Sequence, residues 1–119
     1  MTKSELASLE GAQLNEAVAV ARGWSFLPET DYLGAWWRRE SVWLKDVPDF
    51  LTWPAAGEVL DDFLSLPDRE ADCGRPILGL PWECELRVRT GEWPKYKATG
   101  PTAPVAIWRA WLMWFHKAK

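Results

Sequence analysis

The sequence predicts an α+β fold, a layered α/β sandwich in which a small antiparallel sheet packs with three helices. The main evidence is the segment WECELRVR at 82–89, where apolar and charged residues alternate as in a strand covered on one face. Two other segments repeat apolar residues at helical spacing, and a third follows a capping motif at the N-terminus. These patterns place helices at about 3–22, 53–65 and 103–117 and the main hairpin at about 82–98, within one domain of residues 1–119.

The first helix is predicted from Thr2 and Glu5, which have the spacing of a capping box, and from apolar residues on one helical face. Gly23 provides the stop, and Gly11 can divide the segment into a short turn and a main helix. Residues 24–47 have mixed polarity and contain Pro28. We therefore expect an irregular segment there, with a short strand at 41–44.

The second helix begins at the N-cap candidate Thr52, with Pro54 tolerated in its first turn. Residues 67–81 contain three prolines, two glycines and an acidic run, so we expect a loop. The hairpin then turns at 90–91 and returns over 92–99, where Pro94 favours an edge or a bulge. Thr102 is the predicted cap of the last helix.

The last helix contains the aromatic stretch IWRAWLMWFHK at 107–117. At 100° per residue, a predicted core stripe is formed by Ile107, Ala110, Trp111 and Trp114. Arg109 and His116 fall on the opposite side, which we expect to be exposed to solvent. Trp108 and Phe115 share one shoulder of the helix. That shoulder is either covered by neighbouring loops or left as an aromatic patch for a partner or a second copy of the chain.

Tryptophan is the unusual feature of the composition, with ten among 119 residues. Each indole can bury roughly 150–250 Å² and needs a partner for its N–H. A domain of this size can hardly enclose all ten, so we expect several to be partly exposed. Because Trp and Arg are common in interface hot spots, we expect partner-binding candidates at Trp36, Trp37, Arg38, Arg39, Trp43, Trp108 and Phe115. Stacking of Arg38 or Arg39 on a neighbouring tryptophan within the fold is the alternative.

Binding of single-stranded nucleic acid is a second hypothesis, because WWRR at 36–39 combines aromatic and guanidinium groups. The hairpin adds four candidate bases, Arg87, Arg89, Lys95 and Lys97. The net charge of −3 and the glutamates Glu83, Glu85 and Glu92 disfavour this hypothesis. The bases can instead form an ion-pair ladder with the glutamates.

Catalytic and metal motifs are poorly represented in the sequence. The only histidine, His116, suits the last turn of a helix, and we find no nucleophile elbow, phosphate loop or zinc motif. Asp68, Glu70 and Asp72 lack the glycine and closing glutamate of a calcium loop. We therefore expect a non-enzymatic protein with no metal and no cofactor.

The longest strictly apolar run has six residues, 110–115, whereas a membrane span needs about 20. The N-terminus has no apolar core of signal-peptide length. These features predict a cytoplasmic protein with no membrane partner. In a reducing compartment, Cys73 and Cys84 are expected not to form a disulfide, and Cys84 to be a small buried residue.

The order of elements resembles two families of small bacteriophage proteins, the NinX-like and phage ABA sandwich families. The matching stretches are 9–24 (LEGAQLNEAVAVARGW), 48–50 (PDF), the tryptophan-led strand at 82, 96–98 (YKA) and 102–110 (TAPVAIWRA). Leu51 and Trp53 depart from the usual pattern of those families. The resemblance implies a phage accessory protein with a layered α/β fold, and it implies no activity or functional residues.

Together, these observations predict a bacteriophage accessory protein that acts in the cytoplasm of the infected bacterium by binding a host protein. Inhibition of a host enzyme or of an antiviral defence complex, as an anti-CRISPR protein does, is one form of this function. A homodimer formed through the aromatic shoulder is a further hypothesis. The alternatives are a single-stranded nucleic-acid-binding protein and a phage protein with an unrecognised enzymatic activity.

Overall fold

The computed structural model describes residues 1–30, 34–75, 77 and 79–118, and it confirms the α+β fold class. The described residues form four helices and two three-stranded antiparallel sheets. In chain order the elements are α1 (Lys3–Ala7), α2 (Gly11–Ala21), β1 (Ser25–Thr30), β2 (Gly34–Arg39), β3 (Val42–Leu44), α3 (Trp53–Leu64), β4 (Arg69–Gly74), β5 (Trp82–Val88), β6 (Lys95–Gly100) and α4 (Ala103–Phe115). The helices predicted at about 53–65 and 103–117 are α3 and α4, and the hairpin predicted at about 82–98 is β5 with β6.

The N-terminal helical segment is divided at Gly11, as the sequence suggested. The side-chain oxygen of Thr2 accepts a hydrogen bond from the backbone N–H of Glu5 at 3.2 Å and caps α1. Gly11 has φ of +52°, a left-handed conformation that costs glycine little. Both α1 and α2 then pack against α4.

The first sheet has the order β1-β2-β3 and occupies the segment that was expected to be irregular. The prediction of a strand at 41–44 is confirmed by β3, but the expectation of an irregular chain is wrong for Ser25–Thr30 and Gly34–Arg39. Residues 31–33 of that segment lie outside the described residues. Phe26 pairs with Trp37 across β1 and β2, and their rings lie 5.0 Å apart. Trp37 packs with Ala19 and Trp24 in a small core of its own. Aromatic packing between the strands therefore stabilises this sheet. The sequence did not predict β1 and β2 because their mixed polarity gives no alternating pattern.

The second sheet has the order β4-β5-β6, with the predicted alternating strand at its centre. Cys84, Leu86 and Val88 of β5 are buried, as the alternation predicted. β4 lies within the predicted loop at 67–81, so that expectation is wrong for Arg69–Gly74. The strand forms because β5 offers it a partner in register, with Glu70 opposite Arg87.

Cys73 and Cys84 are opposite each other on β4 and β5 and are joined by a disulfide. The expectation that they stay unpaired is therefore wrong in this structure. Antiparallel pairing brings the two Cα atoms within 4.1 Å, a proximity that the sequence spacing alone does not reveal. Cys84 is fully buried, as expected.

Helix α4 lies across the second sheet and carries most of the main core. Thr102 caps it, accepting a hydrogen bond from the N–H of Val105 at 3.4 Å. Ile107, Ala110 and Trp111 are buried, as the predicted core stripe requires. Almost the whole circumference of the helix is enclosed over residues 106–113, because α1, α2, α3 and the sheet surround it.

Arg109 is the main exception to the predicted orientation of α4. The sequence predicts Arg109 on the solvent-exposed side of the helix with His116, but its side chain is buried. Its Nε donates to the carbonyl oxygen of Leu9 and one terminal nitrogen donates to that of Thr99, each at 2.8 Å. The predicted angular position of Arg109 on the helix is correct, but the connection between α1 and α2 covers this side of α4.

Candidate functional site

A loop at residues 48–50 covers part of the aromatic face of α4. Asn15 of α2 holds the loop by donating to the carbonyl oxygen of Pro48 at 3.0 Å and accepting from the N–H of Phe50 at 2.7 Å. The Trp108 indole N–H donates to the carbonyl oxygen of Phe50 at 2.6 Å, and the two rings meet edge to face. Trp108 is 1% exposed, so the prediction that it is available to a partner is wrong.

Beyond this loop, the aromatic face of α4 opens to solvent. The last turns of α2, α3 and α4 surround a hollow of about 430 Å³. We call this hollow the aromatic groove, and it is lined by Phe63, Leu66, Trp111, Trp114 and Phe115, with Arg22 and Asp62 beside them. Phe115 is 44% exposed, which agrees with the exposure expected at this end of the shoulder.

The rings of the aromatic groove support one another. Trp111 and Phe115 are stacked, with their centroids 5.1 Å apart. Phe63 meets Trp114 edge to face at 5.1 Å, and Trp111 lies 6.2 Å from Trp114. Aromatic contacts of this kind fix ring orientation, so the groove is a preformed surface and not a set of free side chains.

Arg22 is the C-cap residue of α2 and lies at the centre of the site. One terminal nitrogen of its guanidinium group is 3.2 Å from the Asp62 carboxylate. The group also lies over the Trp111 ring, 5.8 Å from the centroid. The aromatic groove thus combines an indole and a carboxylate in positions that hold a cation.

A second hollow of about 180 Å³ lies on the other side of Arg22, and we call it the inner hollow. It is lined by Arg22, Trp24, Arg39, Pro48, Phe50, Ala55, Glu58 and Trp108. Arg39 lies over the Trp24 ring at 5.2 Å. Arg22 lines both hollows, so they adjoin at this residue.

The WWRR segment is only partly available for external contact. Trp37 is 8% exposed and Trp36 is half-buried, whereas Arg38 and Arg39 are exposed. Arg38 lies over the ring of the exposed Trp43 at 5.3 Å. The alternative that the two arginines stack on tryptophans within the fold is therefore confirmed, and Trp37 is too buried for the predicted contact with a partner.

The four hairpin bases lie on the charged face of the second sheet. Arg87 contacts Glu85 at 2.7 Å and Glu70 at 3.2 Å, and Arg89 contacts Glu70 at 2.9 Å. Lys97 lies 3.6 Å from Glu83, and Lys95 is at the exposed edge of β6. The hydrogen bond from Arg87 lowers the pKa of Glu85 below its ordinary value. The predicted ion-pair ladder is confirmed for Lys97 with Glu83 but not for Lys95, which forms no ion pair among the described residues. Glu70 of β4 is an additional member, paired with Arg87 and Arg89.

The histidine that the sequence singled out lies at the surface of the protein. His116 is the exposed C-cap of α4, and its ring contacts Phe115 edge to face. Among the described residues, no group of three His, Cys, Asp or Glu side chains could hold a metal ion. Within the same residues, no helix has the length and apolar character needed to cross a membrane.

The sequence identified Phe115 but not the residues that surround it. Trp111 and Trp114 were assigned to the core stripe, and Arg22, Asp62 and Leu66 were not singled out. Trp111 is buried yet lines the groove, and Trp114 is half-buried. The groove joins the ends of three helices that are distant in sequence, so no local pattern marks it.

Comparison with known proteins gives no further indication of function. No known family model matches the chain, and no curated protein matches it either. The resemblance to the NinX-like and phage ABA sandwich families thus stays a prediction from short residue patterns.

Proposed function

We propose that this chain is a non-enzymatic accessory protein that acts by binding another protein, and that the aromatic groove is its main binding surface. The observation that carries the proposal is the open hollow formed by Phe63, Trp111, Trp114 and Phe115 at the ends of three helices. Preformed aromatic side chains lose little conformational entropy on binding and dominate interface hot spots. The resemblance to phage accessory proteins makes a bacterial host protein the partner that we propose, with an enzyme or a defence complex as candidates.

Nucleic acid is a weaker candidate because of the charge balance on the second sheet. Three of the four hairpin bases form ion pairs with glutamates. A nucleic-acid surface needs free cations that replace counterions along the phosphate backbone. Arg87 in particular is shared between two carboxylates, Glu70 and Glu85.

Affinity capture from a bacterial lysate tests the proposal, with mass spectrometry to identify the bound protein and calorimetry on the purified pair. Wild type and Trp93→Ala, which removes an exposed ring from another surface, are expected to bind the same protein. The double variant Leu66→Ala and Phe115→Ala is expected to lose at least about tenfold in affinity. Equal binding by that variant would remove the aromatic groove as the binding surface.

A second arm separates the groove from the other aromatic surface that the sequence suggested. Trp43→Ala removes the exposed ring beneath Arg38 without disturbing the buried Trp37. We expect partner binding to be unchanged in Trp43→Ala. Binding should also persist as salt rises from about 50 to about 200 mM, whereas nucleic-acid binding would weaken steeply.

A further inference from the structure

The aromatic groove has the electrostatic character of a site for a cation. The last turns of α2, α3 and α4 contain no basic residue, so the negative ends of three helix dipoles meet around the hollow. The cation that faces them is Arg22, the C-cap residue of α2. Glu58, Asp61 and Asp62 are exposed on α3 beside it. Lys117 follows α4 but lines a separate hollow with Met1 and Glu5.

Arg22 shows which chemical group the aromatic groove accepts. Its guanidinium group is held by the Asp62 carboxylate at 3.2 Å and by the face of Trp111 at 5.8 Å. This pair of contacts is how proteins recognise the arginine of a partner, with a carboxylate for the charge and an indole for the flat face. Arg22 therefore occupies its own chain's site as an arginine from outside would.

The position of Arg22 also determines the length of the site. The inner hollow is lined by Ala55 and Glu58 of α3, and the aromatic groove by Asp62 and Phe63 of the same helix. At 1.5 Å per residue, the two hollows together extend for about 12 Å along α3. With the Arg22 side chain displaced, we expect the two hollows to join into one channel. Its walls carry Glu58, Asp62 and the aromatic rings, and Arg39 lies over Trp24 in its inner part.

We propose that the joined channel takes a basic peptide segment of the partner protein, and that an arginine of this segment displaces Arg22 from Trp111 and Asp62. The proposal rests on the protein-binding function proposed above and adds the chemistry of the partner. The acidic face of α3 attracts the segment, and the apolar rings of the aromatic groove accept the side chains that flank the arginine.

The first test uses Arg22→Ala, in which the place of the guanidinium group is vacant, with N-acetylarginine amide as the probe. N-acetylcitrulline amide is the control because it has nearly the same shape and no charge. Nuclear magnetic resonance of the indole N–H groups is expected to show that the arginine probe binds at Trp111 at least about tenfold more tightly than the citrulline probe. Adding Asp62→Asn should remove this preference. Equal binding of both probes to the folded Arg22→Ala variant overturns the proposal.

The second test uses the wild-type chain and does not depend on the folding of Arg22→Ala. The probe is a nonapeptide of leucine, alanine and arginine, and its control carries citrulline in place of arginine. We expect the arginine peptide to bind at least about tenfold more tightly, and Phe115→Ala but not Trp93→Ala to weaken it. Equal affinity of the two peptides, or arginine-peptide binding that is indifferent to Phe115→Ala, overturns the proposal.

Two other results separate this proposal from the more general function. If a captured partner needs Leu66 and Phe115 but neither probe shows a preference for arginine, protein binding stands and the basic segment does not. If sizing chromatography shows a wild-type dimer that Phe115→Ala dissociates, a second copy of the chain is the occupant and the proposed partner segment is overturned.

Discussion

Arg109 lies on a buried side of α4, where a charged group requires acceptors. Its guanidinium group donates to the carbonyl oxygens of Leu9 and Thr99, so one side chain joins α4 to the α1–α2 connection and to β6. Burial lowers the pKa of Arg109, and the negative charge of Glu10 partly opposes this shift. The group is nevertheless protonated at neutral pH, as arginine in proteins is.

Replacing Arg109 by methionine should therefore destabilise the protein strongly. The substitution removes the donor from the carbonyl oxygens of Leu9 and Thr99. We therefore expect the free energy of unfolding to fall by about 3 kcal/mol. Urea denaturation followed by circular dichroism measures the change. Arg89→Met is the matched control, since the Arg89 side chain is half exposed, and its effect should stay within about 0.5 kcal/mol. Equal losses in both variants would contradict the structural role assigned to Arg109.

β6 and α4 pack closely where the strand ends and the helix begins. A Cβ at Gly100 would lie 2.8 Å from the backbone nitrogen of Ala106 and 2.8 Å from Cγ1 of Val105. Such a distance is too short, so α4 would have to move away from the end of the strand. The absence of a side chain at Gly100 is thus a condition for the tight packing of α4 on the second sheet.

Gly100→Ala is expected to lower the free energy of unfolding by about 2 kcal/mol because of this overlap. Gly57→Ala is the control, since Gly57 lies within α3 and has open space around its Cβ position. Alanine favours the helix there, so that variant should gain about 1 kcal/mol. Thermal unfolding of the two variants and the wild type shows whether each substitution lowers or raises the stability. A stable Gly100→Ala would mean that α4 packs less closely than the structure has it.

The disulfide between Cys73 and Cys84 joins β4 to β5, and it closes a loop with a sequence separation of 11. The denatured chain, refolded in a glutathione redox buffer, should contain no thiol that reacts with iodoacetamide before reduction and two afterwards. Reduction should lower the free energy of unfolding by about 3 kcal/mol, and it should have no such effect on Cys73→Ser. Two reactive thiols before reduction would contradict the pairing.

The sequence predicts those elements whose residues carry a local pattern. The alternation of β5, the caps at Thr2 and Thr102 and the break at Gly11 are local, and the structure confirms them. β4 has no such pattern, and its Glu70 is paired with Arg87 and Arg89, which lie 17 and 19 residues further along the chain. The aromatic groove could not be predicted from the sequence either, because Arg22 and Asp62 meet only after α2 and α3 have packed on α4.

At the scale of the whole molecule, the ten tryptophans divide between two cores and the surface. Trp24 and Trp37 lie in the core of the first sheet, and Trp108 and Trp111 lie in the main core. Exposed or half-buried rings are Trp36, Trp43, Trp53, Trp82, Trp93 and Trp114. The expectation that a chain of this size leaves several indoles partly exposed is therefore confirmed.

Arginine covers many of these surface rings within the same chain. Arg38 lies over Trp43 and Arg89 over Trp93, at 5.3 and 5.4 Å. Each of these is a single ring, whereas Phe115 is continuous with Trp111 and Trp114. An isolated exposed ring is ordinary on a protein surface, but a connected hollow is typical of a binding site. The aromatic groove is for this reason the binding surface that we propose.

The most direct test of this claim is fluorine nuclear magnetic resonance of the chain labelled with 5-fluorotryptophan at its ten tryptophans. Each resonance is assigned by substitution of one tryptophan, and the identified partner protein is then added. We predict that the resonances of Trp111 and Trp114 shift on binding and that those of Trp43, Trp53 and Trp93 do not. Shifts at the latter three without change at Trp111 and Trp114 would contradict the account.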